Sequence, residues 1–214
     1  LIAQEHIGRA KKGMAKILAD PLEDPDLSYF VEGTRAFERY VDAMHWAQRY
    51  AFASRETMMD AIITEIERLL PDGSIREGAA INCHHNYANK ERHFARNLWI
   101  TRKGAINAQK GAKGIIPGSM ATGSYIVEGK GNPESYTSAS HGAGRVMSRN
   151  RAKRELTEES LQARMDGIVW NDDARGLLDE HPEAYKDLDR VMTDQSDLVE
   201  VTHRLTTILN YKGA

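Results

Sequence analysis

Two short segments carry side chains able to do chemistry. The first is Cys83-His84-His85-Asn86. In an extended segment residues two apart share a face, so Cys83 and His85 point together while His84 points away, and a neutral imidazole at His85 could ligate a transition metal. Neighbouring histidines are also a common structural or surface feature, and the spacing alone leaves both readings open; His93 follows and adds little. The second segment is Ser138-Ala-Ser-His141-Gly-Ala-Gly144-Arg145. Small residues on both sides of His141 let the backbone approach a ligand and present the imidazole with little steric cover. A neutral histidine is a competent nucleophile toward phosphorus, and Arg145 could offset phosphate charge. The alternative left open by the pattern is a tight turn with an incidental histidine.

Two glycine-rich stretches resemble phosphate-binding motifs and fail as such. Gly118-Ser-Met-Ala-Thr-Gly123-Ser124 has the spacing of a P-loop, but Ser124 stands where lysine belongs and the segment precedes a strand. Gly129-Lys-Gly131 lacks the third glycine of a dinucleotide fingerprint, and no Gly-x-Ser-x-Gly elbow occurs. Rossmann and hydrolase readings therefore lose their anchors.

Charge is unevenly distributed. From Arg76 to Arg154 there are 14 Lys and Arg against 4 Glu and no Asp, whereas the rest of the chain carries 15 against 27. A basic middle thus sits between acidic flanks. The densest run is Arg145, Arg149, Arg151, Lys153 and Arg154, with no acid among them. Such a run suits a partner bearing several phosphates, although a neutralised surface would give the same count.

The elements that must position these residues change character along the chain. Ile2, His6, Ile7, Ala10, Met14, Ile17 and Leu18 recur at helical spacing. Phe37, Tyr40, Val41, Met44 and Ala51 repeat the pattern, as do Met59, Ile62, Ile63, Ile66, Leu69 and Leu70, with Ser54 between them as an expected cap separating two helices. Pro71-Asp72-Gly73 is expected to turn the chain. Eleven of the 17 glycines then fall between Gly73 and Gly144, where Asn97 to Thr101 and Ser124 to Glu128 read as strands. Beyond Arg154 we expect a helix from Glu158 to Arg164, a strand at Ile168 to Trp170 and a helix near Glu183 to Met192. Leu198 to Leu209 fits a strand or a helix. The fold class is α+β: N-terminal helices, then a mixed β-sheet with long glycine-rich functional loops, all in a single domain over residues 1–214.

At 214 residues, 41% hydrophobic and 28% charged, the chain is of ordinary globular composition with no apolar run long enough to cross a bilayer. The single Cys83 makes no internal disulfide and no secretory leader opens the chain, which points to a reducing, cytoplasmic setting. The chain starts at Leu1, without methionine and inside a helical pattern, and reads as part of something longer.

Longer stretches carry a resemblance. Gly114-Ile-Ile-Pro-Gly-Ser-Met120 and Ser138-Ala-Ser-His-Gly-Ala-Gly-Arg-Val-Met-Ser-Arg149 resemble the RtcB family of RNA ligases. His85-Asn-Tyr-Ala-Asn-Lys-Glu91, Thr101-Arg-Lys-Gly-Ala105, Ala184-Tyr-Lys-Asp187 and the terminal Lys212-Gly213 agree, in order, across essentially the whole chain. The resemblance implies a GTP- and Mn²⁺-dependent ligase joining an RNA 3′-phosphate or 2′,3′-cyclic phosphate end to a 5′-hydroxyl end.

By resemblance, His141 is the nucleophile that becomes guanylylated. His85 matches a metal-binding histidine and Asn86 its neighbour at the nucleotide. Pro117, Gly118, Ser119, Met120 and Ser124 match the guanosine-pocket loop, Gly142, Ala143 and Gly144 the turn beside the nucleophile, and Lys212 the lysine that reads guanine. Tyr185 is a weaker candidate for packing on the base, and the basic run after His141 is our expected docking surface for RNA phosphates. Ala121 departs from the family's usual glycine. The family's other metal ligands lie in Asp-x-x-Cys, Gly-Asn-His and His-Ser-Gly-Ser-Arg segments that this chain does not contain, so the match is to the C-terminal part of the catalytic domain. The alternative is therefore a truncated, non-catalytic protein that binds RNA or a partner.

Overall fold

The computed structural model describes residues 2–18, 20, 22–70, 80–171 and 173–211. The expected turn at Pro71-Asp72-Gly73 and the expected guanine reader Lys212 lie outside them. The sequence reads as one domain; the contacts divide the chain into two compact units, 1–76 and 77–214.

The first unit holds α1 (Ile2–Ile17) and α2 (Arg35–Leu69). Helix α1 buries His6, Ala10 and Met14, one stripe at four-residue spacing. Thr34 caps α2 by accepting the Phe37 N–H at 3.3 Å. The two helices expected on either side of Ser54 are one continuous helix of 35 residues. No glycine or proline interrupts Arg35 to Leu69, and an interior serine costs only about 0.5 kcal/mol, less than leaving two helix ends uncapped. Thr57 and Thr64 hydroxyls fold back onto the carbonyls of Ala53 and Asp60, 3.0 and 2.8 Å away, and so do not compete with the helix.

The second unit contains β1 (Asn86–His93), β2 (Arg96–Lys103), β3 (Ala105–Asn107), β4 (Lys113–Pro117), β5 (Ser124–Gly129) and β6 (Ser138–Ser140). There follow α3 (Arg149–Glu155), α4 (Glu158–Arg164), β7 (Val169–Trp170), α5 (Leu188–Asp194), β8 (Val199–Leu205) and β9 (Leu209–Asn210). Helix and strand together bear out the α+β class. The mixed sheet is instead a set of small sheets among the described residues: β1-β2, β3-β6 and β4-β5-β8, all antiparallel, and a short parallel pair β7-β9.

Helix α4 spans the expected residues, whereas the helix expected near Glu183 to Met192 is broken. A 3-10 turn at Pro182–Ala184 ends at Tyr185, which is extended and bridged to Arg145. Asp187 then restarts the helix by accepting the Arg190 N–H at 3.0 Å. Leu198 to Leu209 resolves as strand, in β8 and β9.

Alternation along β4 and β5 turns Ile116, Tyr125 and Val127 inward, onto Ile106, Ala139, Leu188, Met192 and Val199. A second cluster joins Met120 to Leu161, Met165 and Ala174. Arg102 of β2 is 2% exposed, and every edge of its guanidinium is employed. Nε donates to Ser138 Oγ at 2.9 Å, Nη1 to Tyr87 Oη at 3.0 Å and to Glu91, and Nη2 to Glu91 Oε2 at 3.0 Å and the Tyr136 carbonyl at 2.9 Å. The β1-β2 hairpin is thereby tied to the segment entering β6.

Burial alone would raise the Glu91 carboxyl, but hydrogen bonds from Arg102 and His93 outweigh it and hold the group below its ordinary 4.5. A depressed carboxylate stabilises the fold above its unfolded value and loses that contribution as pH falls through the folded one. Arg102→Met leaves the half-buried Glu91 without its cation and should cost about 3 kcal/mol in urea unfolding. The unmodified chain should lose stability as pH falls below 4.5, and the variant should lose less of it.

Candidate functional site

One peptide group joins the two histidine segments. Gly104 lies between β2 and β3, and its N–H donates to the His85 carbonyl at 2.8 Å and to Asn86 Oδ1 at 3.1 Å. Its carbonyl accepts the His141 N–H at 3.3 Å. The β1-β2 register sets Asn86 opposite Lys103, and the β3-β6 register sets Ala105 opposite Ser140, so both histidines arrive at the same glycine. Their rings face one another, centroids 5.3 Å apart and planes 9° from parallel.

Gly104 has φ +72, and a Cβ there would sit 3.2 Å from His141 Cε1 and 3.3 Å from Nδ1. Glycine is thus required twice, for the left-handed backbone and for room behind the ring. Cys83 packs against the core while His85 is exposed, so the expected shared face is not observed. The reason is that Cys83 and His84 precede β1 without regular extended structure. His93 pairs with Glu91 at 2.9 Å, at the far end of β1 from Asn86.

Beside this clasp lies a cavity of about 550 Å³. Pro117, Gly118, Ser119, Met120 and Ser124 line it, and Tyr185 lies on its wall. The turn after His141 abuts the same loop: the Ala143 N–H donates to the Pro117 carbonyl at 3.0 Å, and a Cβ on Gly142 would sit 3.1 Å from that oxygen. Gly144 continues the turn, its carbonyl accepting the Lys186 N–H at 2.9 Å. The loop is closed on itself, with the Gly118 N–H on the Gly123 carbonyl at 2.9 Å and the Ser119 N–H on Thr122 Oγ1 at 2.6 Å. Those amides are in use, unlike the open cradle of a P-loop.

The basic run meets Asp179 and Glu180 from a distant segment and Glu155 from its own helix. Arg149 pairs with Asp179 and Glu180, each at 3.0 Å, Lys153 lies 3.6 Å from Asp179, and Arg151 pairs with Glu155 at 2.8 Å. Arg145 lies 4.8 Å over the Tyr185 ring and donates to its hydroxyl at 3.0 Å. Within the run expected to face phosphates, Arg149 and Lys153 are thus paired because the chain returns Asp179 and Glu180 against α3, while Arg145 also donates to the Met147 and Asp179 carbonyls; Arg154 stays outside this network. Tyr185 donates in turn to Glu180. Burial first, then that bond, raises the Tyr185 phenol above its ordinary value, so it remains a donor.

Glu180, Thr206, Thr207 and Asn210 also line the cavity and carry no motif that the sequence alone would single out. Gly104 did have a signal, a glycine between two strand patterns. Among the described residues no group of three or more His, Cys, Asp or Glu converges as a metal centre; His85 offers one imidazole. Gly104→Ala should force the His141 ring aside, seen as displaced His141 imidazole resonances, and lower stability by about 1–2 kcal/mol through the left-handed backbone.

The profile of the RtcB family, described as tRNA-splicing ligase RtcB, matches residues 1–213. An RNA-splicing ligase RtcB of Escherichia coli K12 is 44% identical over 212 residues, covering 97% of this chain and 51% of that protein. A relative of the same name from Mycobacterium tuberculosis is 31% identical, covering 99% of this chain and 53% of the other, and a tRNA-splicing ligase RtcB of Nanoarchaeum equitans is 33% identical over 206 residues, 85% and 42%. The chain spans about half the length of these relatives. With the match running through both histidine segments and the cavity loop, the chain belongs to the RtcB family.

Proposed function

We propose that the intact polypeptide carrying this chain is an RNA ligase that joins a 3′-phosphate or 2′,3′-cyclic phosphate end to a 5′-hydroxyl end, using GTP and Mn²⁺ in the cytoplasm. The observation that carries the reading is His141, half-buried on the Gly104 clasp, facing His85 and adjoining the cavity lined by Pro117 to Met120. In this reading a ring nitrogen of neutral His141 attacks the α-phosphorus of GTP. A nitrogen–phosphorus bond forms, the bond to the bridging oxygen breaks, and pyrophosphate leaves. GMP then passes to the RNA 3′-phosphate and frees the imidazole. Attack by the 5′-hydroxyl on the activated phosphate forms the phosphodiester and expels GMP.

The chain's residues have assigned parts in this scheme. Pro117, Gly118, Ser119, Met120 and Ser124 hold the nucleoside, with Tyr185 on the wall and Lys212 as guanine reader. Gly142, Ala143 and Gly144 bring backbone close to the phosphates. Asn86 fixes the clasp beside the nucleotide. Bound manganese would supply charge neutralisation on the phosphate oxygens, and His85 is the imidazole this chain would give it. His85 alone does not make a metal centre.

That single ligand also favours a second reading, a chain that binds RNA or a partner without ligating. One assay separates them. Incubation of the intact polypeptide with α-labelled GTP and Mn²⁺ should leave an acid-labile label on protein, and His141→Ala should abolish it. A label that persists in His141→Ala refutes the assignment of the nucleophile, and salt-dependent RNA binding without any label supports the second reading.

A further inference from the structure

We propose that Gln195 is a positioning residue for His141, acting through Ser140; this deepens the reading above and rests on it. Strand β6 is three residues long and, among the described residues, pairs on one edge only, with β3. The His141 N–H turns toward β3, to the Gly104 carbonyl, so the Ser140 N–H turns to the opposite edge. There it meets the Gln195 side chain, whose Oε1 accepts the Ser140 N–H at 3.0 Å and the Ser140 hydroxyl at 3.1 Å.

Gln195 is 6% exposed, and its Nε2 contacts Met192 Sδ at 3.3 Å. Because the Ser140 amide can only donate, the carboxamide oxygen must face it, and the orientation is fixed. A single side chain thus replaces the missing third strand at the residue before the nucleophile. Without it the short strand keeps only its β3 edge, and the half-buried Ser140 amide and hydroxyl lose their acceptor.

The backbone of the same residue organises the other side of the site. The Gln195 carbonyl accepts the N–H groups of Leu198 and Val199, at 2.9 and 3.3 Å, in the turn leading to β8. Strand β8 pairs with β5, whose first residue, Ser124, lines the cavity. Gln195 therefore links the strand that leads into His141 to the sheet that carries the pocket loop.

The test compares Gln195→Met, which fills similar volume without an acceptor for Ser140, with Gln195→Glu, which keeps one, both in the intact polypeptide. In Gln195→Met, Ser140 amide exchange should quicken about tenfold, the equivalent of one lost hydrogen bond, and the His141 ring resonances should shift. Label transfer to His141 at saturating GTP should slow about 10- to 100-fold, with the half-saturating GTP concentration held within about twofold. Gln195→Glu should restore the rate. Wild-type Ser140 exchange and transfer rate in Gln195→Met overturn the proposal, as does a Gln195→Glu variant as slow as Gln195→Met. If the unmodified polypeptide takes no label, the ligase reading fails. Ser140 exchange and the His141 resonances then decide the positioning role on their own, and no change in either overturns it.

Discussion

The ion pair of buried Arg102 with half-buried Glu91 is the interaction on which the arrangement of the second unit depends. A guanidinium that is 2% exposed must have its donors met, and here the partners come from separate stretches: Tyr87 and Glu91 in β1, Tyr136 and Ser138 before and in β6. A carboxylate and a guanidinium removed from water are tolerable only with this degree of satisfaction, and removing one strands the other. The pair therefore specifies geometry more than it adds stability. It fixes the β1-β2 hairpin against the entry to β6, two residues from Gly104 on one side and three from His141 on the other.

From that fixed point the site follows by short steps. Gly104 gathers His85, Asn86 and His141 through one peptide group, and the antiparallel registers of β1-β2 and β3-β6 leave the imidazoles face to face. The turn Gly142 to Gly144 then lies against Pro117, which begins the cavity loop. Each element is small; the shared sheets have two or three strands. Side-chain bonds between elements, such as those of Arg102, Gln195 and Glu180, do what longer ladders do in larger sheets.

Much of this was legible in the sequence, and the misses have physical causes. The helical stripe of α1, the span of α4 and the strands at Asn97 to Thr101 and Ser124 to Glu128 follow from periodicity and turn residues. The split at Ser54 failed because a good capping residue is also tolerated inside a long helix with no glycine or proline. The helix expected through Tyr185 failed because a tertiary bridge to Arg145 holds that residue extended. The turn beside His141 was recognisable as a segment with small residues, whereas the cavity loop was marked only by the family resemblance, its spacing alone having failed as a P-loop. The neutralisation of Arg149 and Lys153 was not, since Asp179 lies 26 residues or more along the chain. Lys212 lies outside the described residues.

The most direct test of the account is a crystal structure of the intact polypeptide grown with GTP and Mn²⁺. The account requires continuous density between phosphorus and a His141 ring nitrogen, with the base in the cavity lined by Pro117 to Met120, Ser124 and Tyr185. A nucleotide bound elsewhere, or phosphorus joined to a different side chain, would contradict it.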